Sequence, residues 1–219
     1  MAHSILFLGK GDDDHTRKAL AFCQRNFCKV DYLLGHFGDS GVPEGLYSWK
    51  GDYIVSYLCP WIIPMRLLAQ AERAALNFHP APPEYPGSGC YSLALYEDAR
   101  EYGTTCHHMA PKVDTGEIVA VKRFRVFESD TVQSLRARAY DHQLSLFYDV
   151  MSIVISGEQF QKSSERWSRA PYTRKELNEL AKITADMDRV EIAKRVRATT
   201  VDSWKPIIEV NGFTFELKG

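Results

Sequence analysis

The chain has 219 residues, 45% hydrophobic and 25% charged, with a net charge of −1. These figures fit a soluble globular protein with room for one α/β domain and a small appendage. They exclude a general electrostatic grip on nucleic acid, and no apolar run approaches the ~20 residues that would span a membrane.

The N-terminus, Met1 to Gly9, has a short apolar run without a basic n-region and reads as a first strand rather than a signal peptide. Ile5 to Leu8 form that strand, which runs into a Gly9-Lys10-Gly11 loop. Asp12-Asp13-Asp14 then caps a helix from about His15 to Asn26. Val30 to Leu34 reads as a second strand, Gly35 to Gly45 as a loop, and Asp52 to Leu58 as a third strand. Pro60 breaks that strand, and Pro64 suits the first turn of a helix reaching about Arg73. Ala75 to Phe78 forms a short strand that delivers His79 at its C-terminal end.

Pro80 to Gly89, with four prolines and two glycines, is a rigid loop. A helix-like Cys90 to Glu101 follows, then strands at Gly103 to Met109 and Glu117 to Val126 on either side of an Asp-Thr-Gly turn. Thr131 to Ser156 carries helical spacing with one apolar face. The fold class implied is α/β: a Rossmann-like, mostly parallel sheet with helices on both faces, over residues 1–159. Residues 160–219 read as a small α+β appendage packed on it. The appendage has a Thr173/Glu176 capping box, a basic segment from Glu191 to Arg197, and a hairpin around Asn211-Gly212.

Five cysteines (Cys23, Cys28, Cys59, Cys90, Cys106) show no zinc-like repeat. They read as reduced thiols of a cytoplasmic protein, and no metal site is expected.

The informative pair is Asn77-Phe78-His79-Pro80 and Val113-Asp114-Thr115-Gly116. In a doubly wound sheet, ligands sit at the carboxyl ends of strands, where Asn77 and His79 fall. An imidazole moves protons near neutral pH, a neighbouring carboxylate orients it, and an Asn amide holds a developing oxyanion. No Ser or Cys nucleophile accompanies them, which favours direct transfer between bound substrates. Taken singly, Asn-x-His could cap a turn and Asp-Thr-Gly could mark a tight one.

In context, these motifs resemble those of the folate-dependent formyltransferases. The resemblance adds a Pro/Gly loop ending at Gly87, Tyr102-Gly103-Thr104-Thr105-Cys106-His107, and Glu117-Ile118-Val119, and covers roughly residues 50–155. It implies attack of a primary amine on the formyl carbon of N10-formyltetrahydrofolate. Asn77 would serve the oxyanion, His79 proton transfer, and Asp114 would hold His79 and a relaying water. His107 matches a supporting family histidine, and His108 has no match. The resemblance also implies a pterin slot at Leu58, Cys59, Pro60 and Ile62, faced by Met109, Lys112 and Val113.

The acceptor is less legible. The tRNA enzymes of the family carry a C-terminal barrel, for which residues 160–219 are too short. Three acids in the first loop would repel a ribonucleotide phosphate. The His-Pro-x-Pro-Pro-Glu-Tyr-Pro-Gly form is similar to bacterial sugar N-formyltransferases, which act on amino-sugar nucleotides of surface polysaccharides such as the lipopolysaccharide O-antigen. That likeness puts Pro83, Tyr85 and Gly87 near the substrate. Arg195 or Arg197 could meet a diphosphate or form a solvated helix face. Trp204, Trp167 and Tyr172 could stack on a base or pack the appendage. Glycinamide ribonucleotide formylation and hydrolysis of formyltetrahydrofolate stay open as alternatives. The hydrolases usually carry an extra N-terminal domain, whereas this chain begins almost at its first strand. The hairpin could pair with a second subunit or be covered internally.

Overall fold

The computed structural model describes residues 3–201 and 204–218. Met1 and Ala2, where the N-terminal run begins, and Gly219, where the appendage ends, lie outside the described residues.

A six-stranded sheet has the order β2-β1-β3-β4-β5-β6, built from β1 (Ser4–Lys10), β2 (Lys29–Gly35), β3 (Gly51–Tyr57), β4 (Ala71–His79), β5 (Glu101–His108) and β6 (Ile118–Arg125). The first four strands are parallel, while β5 runs antiparallel to both β4 and β6. Alternation along the strands sorts the core into two layers. Ile5, Phe7, Tyr53, Val55, Leu76 and Phe78 pack under α1 (Asp14–Asn26) and α4 (Val132–Ser156). Leu6, Leu8 and Ile54 face the other way, against Val42, Trp49 and Leu67. That second face is covered by a loop, a 3-10 turn at Glu44–Ser48 and the short α2 (Met65–Leu68).

Capping follows the local chemistry. Asp13 accepts the Thr16 N–H at 2.9 Å to start α1. Thr131 and Ser134 cap α4 reciprocally, and Gly157, at φ +75°, ends it.

Two helices are shorter than the sequence-based expectation. The helix expected from Pro64 to Arg73 is only Met65–Leu68, and β4 begins at Ala71. The alanine-rich stretch favours helix locally, but Ala71 to Phe78 pairs along β3, and Arg73 reaches Asp52 on that strand at 3.1 Å. Sheet pairing overrides propensity here. The helix expected from Cys90 to Glu101 is α3 (Cys90–Tyr96). Asp98 takes φ +52°, and the Ala99 N–H returns to the Ala94 carbonyl at 3.0 Å, closing the helix with a left-handed turn.

The C-terminal part contains α5 (Arg174–Leu180), β7 (Lys182–Ile183), α6 (Arg189–Thr199), β8 (Ile207–Val210) and β9 (Phe213–Glu216). Tyr172, Leu180 and Ala198 share one buried cluster with Tyr85, Leu93, Tyr102 and Leu135, so this part is bonded into the core rather than tethered to it. The expected hairpin forms around Asn211 (φ +49°) and Gly212 (φ +81°). The short β7, absent from the sequence reading, pairs parallel with β8.

Candidate active site

Strand pairing assembles the site. Asn77 and His79 lie two residues apart on β4 and so share a face of the sheet. His107 stands directly opposite Asn77 across the antiparallel β4–β5 pair. Gln143, fully buried on α4, donates from Nε2 to the Phe78 carbonyl and fixes the end of β4 between the two motif residues.

Asp114 arrives from the turn after β5. Its φ of +47° is unusual for a non-glycine residue. Gly116 makes that turn feasible, because a Cβ there would meet the His108 carbonyl oxygen at 1.7 Å. The buried carboxylate, 4% exposed, then touches three groups. Oδ2 lies 3.4 Å from His79 Nδ1 and accepts the Gly87 N–H at 2.8 Å. Oδ1 lies 3.3 Å from His107 Nε2. Burial alone would raise the Asp114 pKa. The charge of His79, the hydrogen bond and charge of His107, and the Gly87 amide outweigh it and hold the carboxyl well below the usual carboxylate range.

The surroundings define the proton inventory. His107 Nδ1 lies 2.8 Å from the His108 carbonyl, which can only accept, so Nδ1 carries the hydrogen. Its Nε2 is 3.1 Å from Asn77 Nδ2. His79 Nε2 faces the Tyr85 carbonyl at 3.1 Å. The His79 ring is therefore bracketed by acceptors at both nitrogens. His108 points elsewhere, edge-on to Phe160, with its pKa lowered by burial.

The centre opens into a cleft of about 590 Å³, within the usual range for a small-molecule site. Asn77, His79, His107 and Asp114 line it, together with Leu58, Cys59, Pro60, Ile62, Met109, Lys112 and Val113. Leu58, like Asp114, sits at positive φ (+51°), a backbone cost that recurs at functional sites. Of the loop residues expected near the substrate, Gly87 lines the cleft. Pro83 and Tyr85 do not. Tyr85 is buried, its ring stacked between Tyr102 and Tyr172 and its carbonyl on His79.

Of the C-terminal candidates, Tyr172 lines the cleft, while Arg195, Arg197 and Trp204 lie away from it. Arg195 donates to Glu191 and to the carbonyls of Glu179, Leu180 and Lys182. Arg197 holds the Asp130 and Phe127 carbonyls and pairs with Asp98. Both arginines pin α6 to its neighbours. Trp204 lines a separate cavity of about 600 Å³ between α5 and the hairpin.

Several cleft residues had no sequence signal. Phe37, Trp61, Tyr140 and Arg174 line it from four different segments. Lys10, at the end of β1, also lines it, and its place at a strand's carboxyl end was the one available clue. Trp167, weighed from sequence as a base-stacking or packing residue, instead covers the histidines, with ring centroids 6.0 Å from His79 and 5.1 Å from His107.

No helix among the described residues is long and apolar enough to cross a membrane, and no metal-holding cluster occurs among them. All five cysteines are free.

Comparison with known proteins agrees with this geometry. The chain is 26% identical over 167 residues to GDP-perosamine N-formyltransferase of Brucella melitensis, covering 75% of this chain and 63% of that protein. Phosphoribosylglycinamide and methionyl-tRNA formyltransferases are also among its relatives. The chain spans between 36% and 63% of the length of the first curated relatives it matches. Its fold is similar to a sugar N-formyltransferase from a Shewanella species, with a TM-score of 0.76, 17% identity, and coverage of 99% and 96% of the two chains. It is also similar to an N-formyltransferase from Helicobacter canadensis in complex with folinic acid and dTDP-3-aminofucose, with a TM-score of 0.74, 20% identity, and coverage of 97% and 85%. The sequence profile described as formyl transferase matches residues 37–151, more than half of the chain, and the chain therefore belongs to the formyl transferase family.

Proposed function

We propose that this chain transfers a formyl group from N10-formyltetrahydrofolate to the primary amine of a nucleotide-linked amino sugar. The observation that carries the reading is the convergence of Asn77, His79 and the buried, doubly histidine-bound Asp114 at the floor of one cleft. The folate would occupy the apolar side of that cleft, at Leu58, Cys59, Pro60 and Ile62, faced by Met109, Lys112 and Val113. Trp61 lines the same side, and its Nε1 is buried without a protein acceptor.

The roles follow from the contacts. The amine nitrogen forms a bond to the formyl carbon, whose oxygen gains negative charge. The Asn77 amide donates to that oxygen. His79 takes the proton the amine sheds, and Asp114 and the Tyr85 carbonyl hold its ring in place. The bond from the formyl carbon to folate N10 then breaks, and the proton returns through His79 to N10. Asp114 stays ionised and orients both rings.

An amino-sugar nucleotide as acceptor is supported by the relative named for GDP-perosamine and by the neighbour solved with dTDP-3-aminofucose. The cations Arg174 and Lys10, the latter paired with Asp13 at 3.5 Å, lie on the cleft wall and suit a phosphate-bearing substrate. Reduced, unpaired cysteines suit the cytoplasm, where such an acceptor would serve O-antigen-type polysaccharide synthesis. A second copy of the chain is proposed as the partner of the hairpin. Ile208, Val210, Phe213 and Phe215 form one exposed apolar face, since Ile208 pairs with Phe215 and Val210 with Phe213.

Mass analysis of products from a panel of amino-sugar nucleotides tests the acceptor. An N-formylated sugar nucleotide supports the reading. Formylation of glycinamide ribonucleotide alone contradicts it.

A further inference from the structure

After Gly157 ends α4, residues 158–172 carry almost no regular structure, yet they are held at many points. Glu165 pairs with Arg123 on β6 at 2.9 Å, and the same guanidinium reaches Glu84 of the His-Pro loop at 3.0 Å. The Ser168 N–H donates to the Pro83 carbonyl at 3.2 Å. Tyr172 N–H donates to the Pro86 carbonyl, and its own carbonyl accepts the Ser88 N–H, both at 2.9 Å. The segment is thus a strap, bonded along the loop that follows His79.

Trp167 is the residue the strap presents to the centre. Its Nε1 donates to the Gly116 carbonyl at 2.7 Å. Gly116 belongs to the turn that supplies Asp114, which has an unfavourable backbone angle of φ +47°. The indole also meets both imidazoles edge-on, at 65° to His79 and 86° to His107. One side chain therefore touches the turn carrying the carboxylate and both rings that the carboxylate bridges.

We propose that Trp167 is a positioning residue for formyl transfer: it pins the Asp114 turn through Gly116 and braces the His79 and His107 rings from one side, without itself touching the reacting atoms. This rests on the formyl-transfer reading of the site. A strained turn needs surrounding contacts to hold it, and a shift of about 1 Å in a catalytic array can cost about 10²-fold in rate. Arg123 acts one step further out, by clamping Glu165 of the strap and Glu84 of the loop together.

The test uses the full chain with Trp167→Ala, Trp167→Phe and Glu165→Gln. Trp167→Ala is expected to lower kcat by about 10²-fold while the KM for folate and for amine stays within about threefold, because uniform binding is untouched. Trp167→Phe keeps the ring contacts but loses the N–H, and partly restores kcat. Glu165→Gln loosens the strap and gives a smaller kcat loss; it serves where Trp167→Ala does not fold. In parallel, NMR of the substrate-free protein follows the His107 Nδ1–H held by the His108 carbonyl. That slowly exchanging signal persists in the wild type and broadens in Trp167→Ala.

Wild-type kcat in every folded variant overturns the proposal. So does a raised KM with kcat unchanged, which would make Trp167 a substrate contact. An unaltered imidazole signal in Trp167→Ala overturns it as well. The NMR arm needs no substrate, so an error in the assigned reaction would leave the spectroscopic outcome intact and is told apart from an error in the role of Trp167.

Discussion

The carboxylate of Asp114 stands 3.4 Å from His79 Nδ1, and both side chains are almost sealed from solvent. Removing either partner breaks the link between them, although Asp114 keeps His107 and the Gly87 N–H and His79 keeps the Tyr85 carbonyl. His79→Asn and Asp114→Asn are each expected to lower kcat by about 10²- to 10⁴-fold, with folate affinity retained in equilibrium titration. Near-normal turnover in either variant would remove these residues from the mechanism.

The ionisation state of Asp114 gives a second prediction. Its pKa is lowered in the fold, so the group is ionised above that lowered value. Its stabilising contribution is present above the ordinary carboxylate value and fades only as pH falls towards the lowered one. Carbon NMR of the side-chain carboxyl should show Asp114 still ionised at about pH 4, where ordinary aspartates are half titrated. Protonation at or above that pH would contradict the two-histidine clamp.

Cys59 lines the cleft, and burial pushes its thiol up to about 11 against the opposing Trp61 backbone N–H. At neutral pH it is a poor nucleophile. Cys59→Ala is expected to keep kcat within about threefold, because transfer without a covalent enzyme intermediate needs no thiolate. A formyl group trapped on Cys59 in rapid-quench mass spectrometry would reverse this view.

Much of the centre is legible in sequence because it depends on strand ends. Apolar runs locate β1, β3 and β4, and a parallel strand carries its ligand-facing residues to its carboxyl end, which places Asn77 and His79. The Asp-Thr-Gly turn is legible because Gly116 admits no side chain beside the His108 carbonyl. Other parts depend on contacts between distant segments. Ala71 to Ala74 look helical until β3 pairs with them. Trp167 reaches the histidines from more than fifty residues away in an irregular segment. Arg195 and Arg197 read in sequence as either diphosphate contacts or a solvated helix face, but α6 is packed so that their donors are taken by backbone carbonyls and neighbouring acids.

Gly116→Ala places a methyl group 1.7 Å from the His108 oxygen, a contact the backbone must move to relieve. The variant is expected to lose kcat as severely as Asp114→Asn and to unfold several degrees lower, because overpacking typically costs about 1–3 kcal/mol. Wild-type melting and turnover together would show that the turn does not depend on this close approach.

The exposed hairpin face predicts self-association. Phe213 and Phe215 are 69% and 58% exposed on β9, the free edge of the small sheet. Sedimentation should find the wild type dimeric and Phe213→Asp/Phe215→Asp monomeric, with the catalytic centre unchanged. A wild type that stays monomeric at high concentration would refute a second copy as the hairpin's partner.

The most direct test of the central claim is the rate of tetrahydrofolate formation from N10-formyltetrahydrofolate, with and without an amino-sugar nucleotide. The account predicts release that depends on the amine, matches N-formyl product one for one, and is lost in His79→Asn. Release at the same rate without any amine would make the centre a hydrolase and contradict the account.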